Sequence, residues 1–280
     1  MDVTMADSAT TSGSRGRIGR RPAGMRTTRV GRILEIPGKL LRTWTIERNF
    51  RAALFPDASE LRTYRQELRE SGLVDHLHEQ RRYFVETTKG MTARGVPYII
   101  GTINELAGER LYAIIRKFQP QMAVETGVCA GFSTAFILQA LQKNGTGRLH
   151  SIDLPEVVGE EYSDGVFWEG KGGAVAPPGK SSGWAVPEAL KSRWELITGK
   201  TQEELPPLLE RLGTIDFFMH DSEHSYECMM FEYVTAYDRL RAGGVLMTDD
   251  TKWNDSFFDF AKTKGKRTTE ITKNVALLVK

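Results

Sequence analysis

The chain predicts an α/β fold, one open sheet of mainly parallel strands with helices on both faces. Three observations carry that reading. Short apolar runs such as Ile215–Met219 and Val245–Thr248 suit strands that are covered on both sides rather than half-exposed ones. Amphipathic stretches at helical spacing alternate with these runs. A carboxylate then stands where each of four runs would leave the sheet, at Glu125, Asp153, Asp221 and the pair Asp249-Asp250, and that edge is where ligands bind in open α/β sheets.

Residues 1–28 are rich in Ser, Thr, Gly and Arg with almost no large apolar side chain, so they are expected to be disordered. Residues 1–51 carry eleven Lys/Arg against four Asp/Glu, or +7; the whole chain is +2, which leaves −5 for the remainder. The excess belongs to the tail, and the domain behind it is not a nucleic-acid binder by charge. From Val30 to Phe55, Ile33, Ile36, Leu40, Leu41, Trp44 and Ile46 recur among basic residues. This segment is expected to be a helix docked on its own domain or on a second subunit of a homo-oligomer, with Pro37 interrupting it. A basic amphipathic helix on an anionic membrane is the alternative. Leu61 to Thr88 reads as a polar helical stretch with Leu68, Leu73, Leu77, Tyr83 and Phe84 as buried positions, and a further helix spans Glu109 to Phe118. The expected organisation is a tail over 1–28, a helical extension over 29–94 and the main domain over 95–280.

The main domain is organised around M-A-V-E-T-G-V-C-A-G-F-S-T, residues 122–134. Met122, Ala123 and Val124 end a strand, and Gly127 and Gly131 let the backbone turn tightly and approach a ligand. Ser133 and Thr134 open a helix from Phe132 to about Lys143, with Phe136, Ile137, Ala140 and Leu141 on its apolar face and Gly145 as C-cap. Two glycines behind an acidic strand end are not the G-x-G-x-x-G that holds a dinucleotide pyrophosphate, which argues against a nicotinamide-dependent oxidoreductase. A ligand with an amino group and no phosphate suits Glu125 better; S-adenosylmethionine (SAM) is one. Arg148–Leu154 is the second strand, and Asp153 at its end is placed to accept two ribose hydroxyls. Seven glycines and Pro177-Pro178 then fill the stretch from Gly159 to Gly183 without helical or strand period. With Phe167, Trp168 and Trp184 in or beside it, the loop over 156–188 reads as a lid or substrate loop. Trp194–Thr198 is a third strand, and Thr201 with Glu204 reads as a capping box.

Behind Ile215–Met219 comes H-D-S-E-H-S-Y, then a helix with Tyr226, Met230, Tyr233, Tyr237 and Leu240 on one face, ended by Gly243-Gly244. Val245–Thr248, Lys266–Thr272 and Val275–Val279 complete seven strands. Asp221, Asp249 and Asp250 converge from neighbouring strand ends and form a hard oxygen set that suits Mg²⁺; crowded together without a cation they would repel. His224, with an ordinary pKa of about 6.5, reads as a general base, a fourth ligand or a helix cap. His220 is expected to point to the opposite side of its strand, where it reads as core or as support behind the site. Cys129 and Cys228 build no disulfide framework and no zinc site, which fits a reducing cytoplasm. No apolar run approaches the roughly 20 residues of a membrane helix.

The stretch E-T-G-V-C-A-G-F-S-T resembles motif I of the class I SAM-dependent methyltransferases, most closely the small-molecule O-methyltransferases of the catechol type. H-D-S-E-H-S-Y, with L-R-A-G-G-V-L-M-T-D-D and W-N-D-S-F-F-D-F-A, resembles the metal-dependent group that includes macrolide-sugar O-methyltransferases. The resemblance covers about Gly95 to Lys280. It implies a Rossmann-like seven-stranded sheet and SAM held by Glu125, Thr126, Gly127, Gly131, Ser133, Asp153, Thr201, Gln202 and Asp221. It also implies Mg²⁺ held by Asp221, Asp249 and Asp250, with His224 as base. In related enzymes the segment matching Lys89 to Leu106 folds over the methionine end of SAM. In catechol-type enzymes Asn stands at the position of Asp250 and Lys at that of His224, so the sugar-modifying branch is the nearer one. The implied acceptor is a hydroxyl of a small molecule, a sugar or a glycosylated natural product. The rivals are an RNA methyltransferase that holds phosphates with its basic tail, against which the acidic cluster argues, and a non-catalytic SAM-binding scaffold, against which the intact acidic set argues.

Overall fold

The structure, a computed structural model, describes residues 29–93, 96–154 and 176–280. The expected tail, residues 1–28, and most of the expected loop, with Phe167 and Trp168, lie outside the described residues. Residues Arg42–Lys280 form a compact unit, separate from the described residues before it. This unit holds the sheet and the site.

Seven strands build one sheet: β1 (Met122–Thr126), β2 (Arg148–Asp153), β3 (Trp194–Thr198), β4 (Ile215–His220), β5 (Leu240–Thr248), β6 (Thr268–Glu270) and β7 (Ala276–Val279), in the order β3-β2-β1-β4-β5-β7-β6. Strands β1 to β5 run parallel, and β7 lies antiparallel between β5 and β6. The last two strands are shorter than predicted because Ile271 and Thr272 turn back on Val275, with the Ile271 N–H on the Val275 carbonyl at 2.7 Å. Residue alternation in β4 explains why the central strands read as apolar runs. Phe217 and Met219 enter one core cluster and Phe218 the other, all fully buried.

Helices α4 (Glu105–Phe118) and α5 (Phe132–Asn144) cover one face, and α6 (Thr201–Leu212), α7 (Tyr226–Arg239) and α8 (Ser256–Thr263) the other. Helix α4 begins four residues earlier than predicted, because the Asn104 side chain accepts the Ala107 N–H at 3.0 Å and caps it. Helix α7 ends at Arg239, not at the glycine pair; Leu240 already pairs with Ile215, and a register shift between Ile215 and Phe217 absorbs the glycines within β5. Its buried face is also displaced from the predicted one: Cys228, Met229, Glu232, Tyr233, Ala236 and Tyr237 are buried, while Tyr226 is exposed.

The stretch read as one helix over Leu61–Thr88 is two, α2 (Ala58–Glu70) and α3 (Leu73–Thr87), broken where Gly72 takes a φ of 71°. Leu68, Leu73, Leu77 and Phe84 are buried as expected; Tyr83 is exposed. Helix α1 (Arg29–Leu54) runs through Pro37, contrary to the predicted interruption. From Arg42 on it docks on its own domain through Ile46, Phe50 and Leu54, one i,i+4 row, whereas Trp44 stays 58% exposed. Beneath Phe50 the guanidinium of buried Arg110, 4.8 Å from the ring, bonds both Glu47 and the Ile271 carbonyl. This ion pair ties α1 to α4 and to the β6–β7 hairpin.

Helices α4 and α5 meet at Gly108, where an added Cβ would lie 2.1 Å from the Phe136 ring. Gly108→Ala should gain about 1 kcal/mol in helix propensity and lose about 1–3 kcal/mol to overpacking. Net destabilisation is therefore expected in urea melts; a rise in the midpoint would show that the interface has slack.

Candidate active site

Register sets the geometry of the sheet's C-terminal edge. Thr126 pairs with His220, and His220 with Thr248, so the next residues of each strand, Gly127, Asp221 and Asp249, emerge side by side. The ladder continues one step past the strands: the Asp221 N–H donates to the Thr126 carbonyl at 2.8 Å, the Asp249 N–H to the His220 carbonyl at 3.0 Å and the Gly127 N–H to the Ile152 carbonyl at 2.8 Å. At Gly127, with φ of 82°, a Cβ would lie 2.0 Å from the Asp221 carbonyl oxygen. Only glycine permits this contact, and it joins the two halves of the predicted site through their backbones.

The glycine turn runs from Gly127 to Gly131, with Cys129 also left-handed at φ 49° and its thiol on the Ile100 carbonyl at 3.3 Å. Ile100, in the segment after Lys89, thus lies against the turn. At Gly131 a Cβ would meet Gly183 and Val186. Space freed there admits the end of the predicted lid, whose Gly183 and Ala185 N–H groups donate to the carbonyls of Cys129 and Ala130 at 2.8 and 3.0 Å. Trp184 stacks on Phe84 with ring centroids 6.3 Å apart, and His76 Nε2 meets the Ala185 carbonyl at 2.9 Å.

Glu125 is fully buried, and its carboxylate accepts from Ser133 and Thr134 at 2.7 Å and from Ser151 at 2.8 Å. It braces the turn, α5 and β2 from below, where the sequence reading had it meet an amino group. Burial raises its pKa to about 7 against those three hydroxyls. Asp153 accepts the Val128 N–H at 2.9 Å and the Ser182 hydroxyl, and burial pushes its carboxyl up too. Ser182 was not legible in the sequence, since only folding brings the far end of a long loop back to β2. Thr201 is the first residue of α6, behind Lys200 as N-cap, so the predicted capping box is not formed. Thr201 and Gln202 face Cys228, whose Sγ accepts from Gln202 Nε2 at 3.3 Å. Burial, then Glu232, pushes that thiol up to about 12.

His224 lies between two of the carboxylates, its Nε2 3.8 Å from Asp221 Oδ1 and 3.7 Å from Asp250 Oδ2. Its ring stacks on Trp253 at 5.8 Å, and its carbonyl accepts from Asn254 at 3.0 Å. Asp250 is held left-handed at φ 51°, with its N–H on Asp249 Oδ1 at 2.7 Å. Burial, followed by the repulsion of Asp249 and Asp250, holds Asp221 well above the usual carboxylate range, and Glu125 and Asp153 add to it. Burial and Asp250 raise Asp249 to about 6, and burial raises Asp250. The expected neutral-range pKa of His224 does not hold: burial, then His220, lowers it to about 3. The ring is therefore neutral at physiological pH and can accept a proton, as a weaker base than free imidazole. His220 is core, as predicted.

By chemistry this donor set fits a hard divalent cation, which would relieve its repulsion. Among the described residues, no three His, Cys, Asp or Glu side chains stand at metal-ligand spacing. No described helix is long and apolar enough to cross a membrane.

Residues 124–251 match the family model of a methyltransferase domain. Curated proteins give no significant match. Among solved structures, the O-methyltransferase NovP aligns at 16% identity over 67% of this chain and 85% of its own, with a TM-score of 0.50. The O-methyltransferase from Bacillus cereus in complex with SAH aligns at 14% over 84% and 97%, TM-score 0.45. A putative caffeoyl-CoA O-methyltransferase from Staphylococcus aureus aligns at 14% over 76% and 99%, TM-score 0.49. The NovP likeness speaks for the fold, and the family match covers the glycine turn, Asp153 and the whole carboxylate edge. Residues 124–251 are thus similar to a methyltransferase domain, on a fold shared with the O-methyltransferase NovP.

Proposed function

We propose that this chain transfers a methyl group from SAM to a hydroxyl oxygen of a small molecule, with a divalent cation such as Mg²⁺ at the carboxylate edge. The observation that carries the reading is the acidic convergence at one sheet edge, where Asp221 feels Asp249, Asp250, Glu125 and Asp153 together. A sulfonium donor and a metal ion are both cations, and such an edge favours both. NovP, the neighbour whose fold likeness is strongest by TM-score among those named, is an O-methyltransferase. A sugar or a glycosylated natural product remains the acceptor class implied by the motif resemblance.

In this reading the turn from Gly127 to Gly131 holds the methionine part of the donor, Asp153 the ribose, and Thr201 with Gln202 the adenine. Asp221, Asp249 and Asp250 would hold the cation, which when bound supplies Lewis acidity that lowers the pKa of the acceptor hydroxyl. The S–CH₃ bond breaks as the O–CH₃ bond forms, the sulfonium becomes a neutral thioether, and the hydroxyl proton passes to His224 Nε2. Asp221 and Asp250, within 3.8 Å of that nitrogen, offset the imidazolium charge that results. Positioning supplies much of the acceleration. The arm Ser182–Val186, lying on the turn, helps to keep water out.

Release of S-adenosylhomocysteine over a panel of hydroxylated metabolites tests the reading. EDTA should abolish turnover and Mg²⁺ restore it, and Asp221→Asn should lower kcat/KM by about 100-fold or more; turnover indifferent to EDTA would remove the cation. A second prediction follows from Asp249, raised from 3.8 to about 6. Between those values the folded protein keeps a proton that the unfolded chain has released, so stability falls as pH rises through the window and stays low above it. In EDTA, Asp249→Asn should therefore stabilise the protein at pH about 8, by on the order of 2 kcal/mol, and hardly at all below pH about 4. Urea melts that show destabilisation at the higher pH would contradict the repulsion.

A further inference from the structure

One carboxylate that the proposed chemistry does not use lies beneath the site. Glu232 of α7 is fully buried. Its Oε2 accepts from Thr126 Oγ1 at 2.5 Å and faces His220 Nδ1 at 2.6 Å; its Oε1 accepts from Ser222 Oγ at 2.6 Å and from Cys228 Sγ at 3.7 Å. An ionised carboxylate only accepts, so the facing His220 nitrogen carries a hydrogen. Burial alone would push Glu232 up, but the His220 ring, Ser222 and Thr126 together hold it below the usual carboxylate range.

The positions of these donors matter more than their number. Thr126 directly precedes Gly127 in the glycine turn, and His220 and Ser222 flank Asp221 on either side. A single side chain from a helix behind the sheet thus grips the strand residue that leads into the donor cradle and both neighbours of the central carboxylate. Gly127 and Asp221 are already in backbone contact, so a shift of either strand end is felt by the other. We propose that Glu232 is a positioning residue that couples the donor cradle to the carboxylate edge, so that SAM and a divalent cation each tighten the binding of the other. Glutamine is not an adequate substitute: it offers one acceptor oxygen and turns an NH₂ group toward donors that need an acceptor. This inference rests on the proposed function, and its test separates the two.

The test is calorimetric titration of SAM into the full chain with and without saturating Mg²⁺, and the reciprocal titration of Mg²⁺, for wild type, Glu232→Gln and Ser222→Ala. Coupling is reciprocal and commonly about 5- to 150-fold. Wild type should bind SAM about tenfold more tightly with Mg²⁺, Glu232→Gln should bring that ratio close to unity, and Ser222→Ala, which removes one tie, should give an intermediate ratio. A merely structural role would lower the melting temperature and weaken both ligands in proportion, leaving the ratio as in wild type. Should Glu232→Gln not fold, Ser222→Ala decides. Wild-type binding of both ligands without coupling, or an unchanged ratio in the folded variants, overturns the proposal; failure of wild type to bind either ligand overturns the functional reading instead.

Discussion

Everything at the C-terminal edge depends on the alignment of three strand ends. Thr126, His220 and Thr248 lie in one row across β1, β4 and β5, and the hydrogen bonds of the row continue into Asp221 and Asp249. A slip of β4 by one residue would reverse the faces of Phe217, Phe218 and Met219 and send each to the wrong core. Core packing therefore fixes the site: side chains far from any ligand decide that Gly127 and Asp221 touch. The absent Cβ of Gly127 lets that contact close.

Two kinds of carboxylate meet at this edge, the buried Glu125 and Asp153 and the half-buried Asp221 and Asp249, and their surroundings differ. Glu125 and Asp153 are supplied with hydroxyl and backbone donors from within the chain, from Ser133, Thr134 and Ser151 on one and Val128 and Ser182 on the other. They shape the cradle from below. Asp221 and Asp249 are instead driven upward by burial and by their acidic neighbours. An acid supported by internal donors serves the architecture, whereas acids that repel one another at the sheet edge are the feature from which the proposed cation site is argued. His224 completes the contrast, since burial keeps it neutral although two carboxylates stand within 3.8 Å of its Nε2.

The helices before the main domain act as a wall for the site. Helix α3 gives Phe84 and Tyr83 to Trp184, and His76 to the Ala185 carbonyl, which presses the arm Ser182–Val186 onto the glycine turn. Arg110, between Glu47 and the Ile271 carbonyl, ties the docked part of α1 to the same layer. Arg110 is buried and Glu47 half-buried, so removing Glu47 would leave a buried charge with less compensation, and α1 from Arg42 on belongs to the compact unit that holds the sheet.

The alternation of strands and helices, the seven strands, the glycine turn and the acids at four strand ends could all be read from local pattern: apolar runs, glycine pairs and a polar residue where a run stops. Tertiary structure decided what those residues face. Glu125 looks inward to three hydroxyls, Thr201 does not cap its helix, and the row Ile46, Phe50 and Leu54 docks α1 while Trp44 stays outside; all of these depend on partners far away along the chain. Ser182 and Glu232 were hidden for the same reason, although a lone acid between Met229 and Tyr233 on a buried helical face was a legible sign of a polar partner. The pKa of His224 was beyond the sequence altogether, since it is set by the depth at which the ring lies and by the ring of His220 beside it, and depth exists only once the layers have closed.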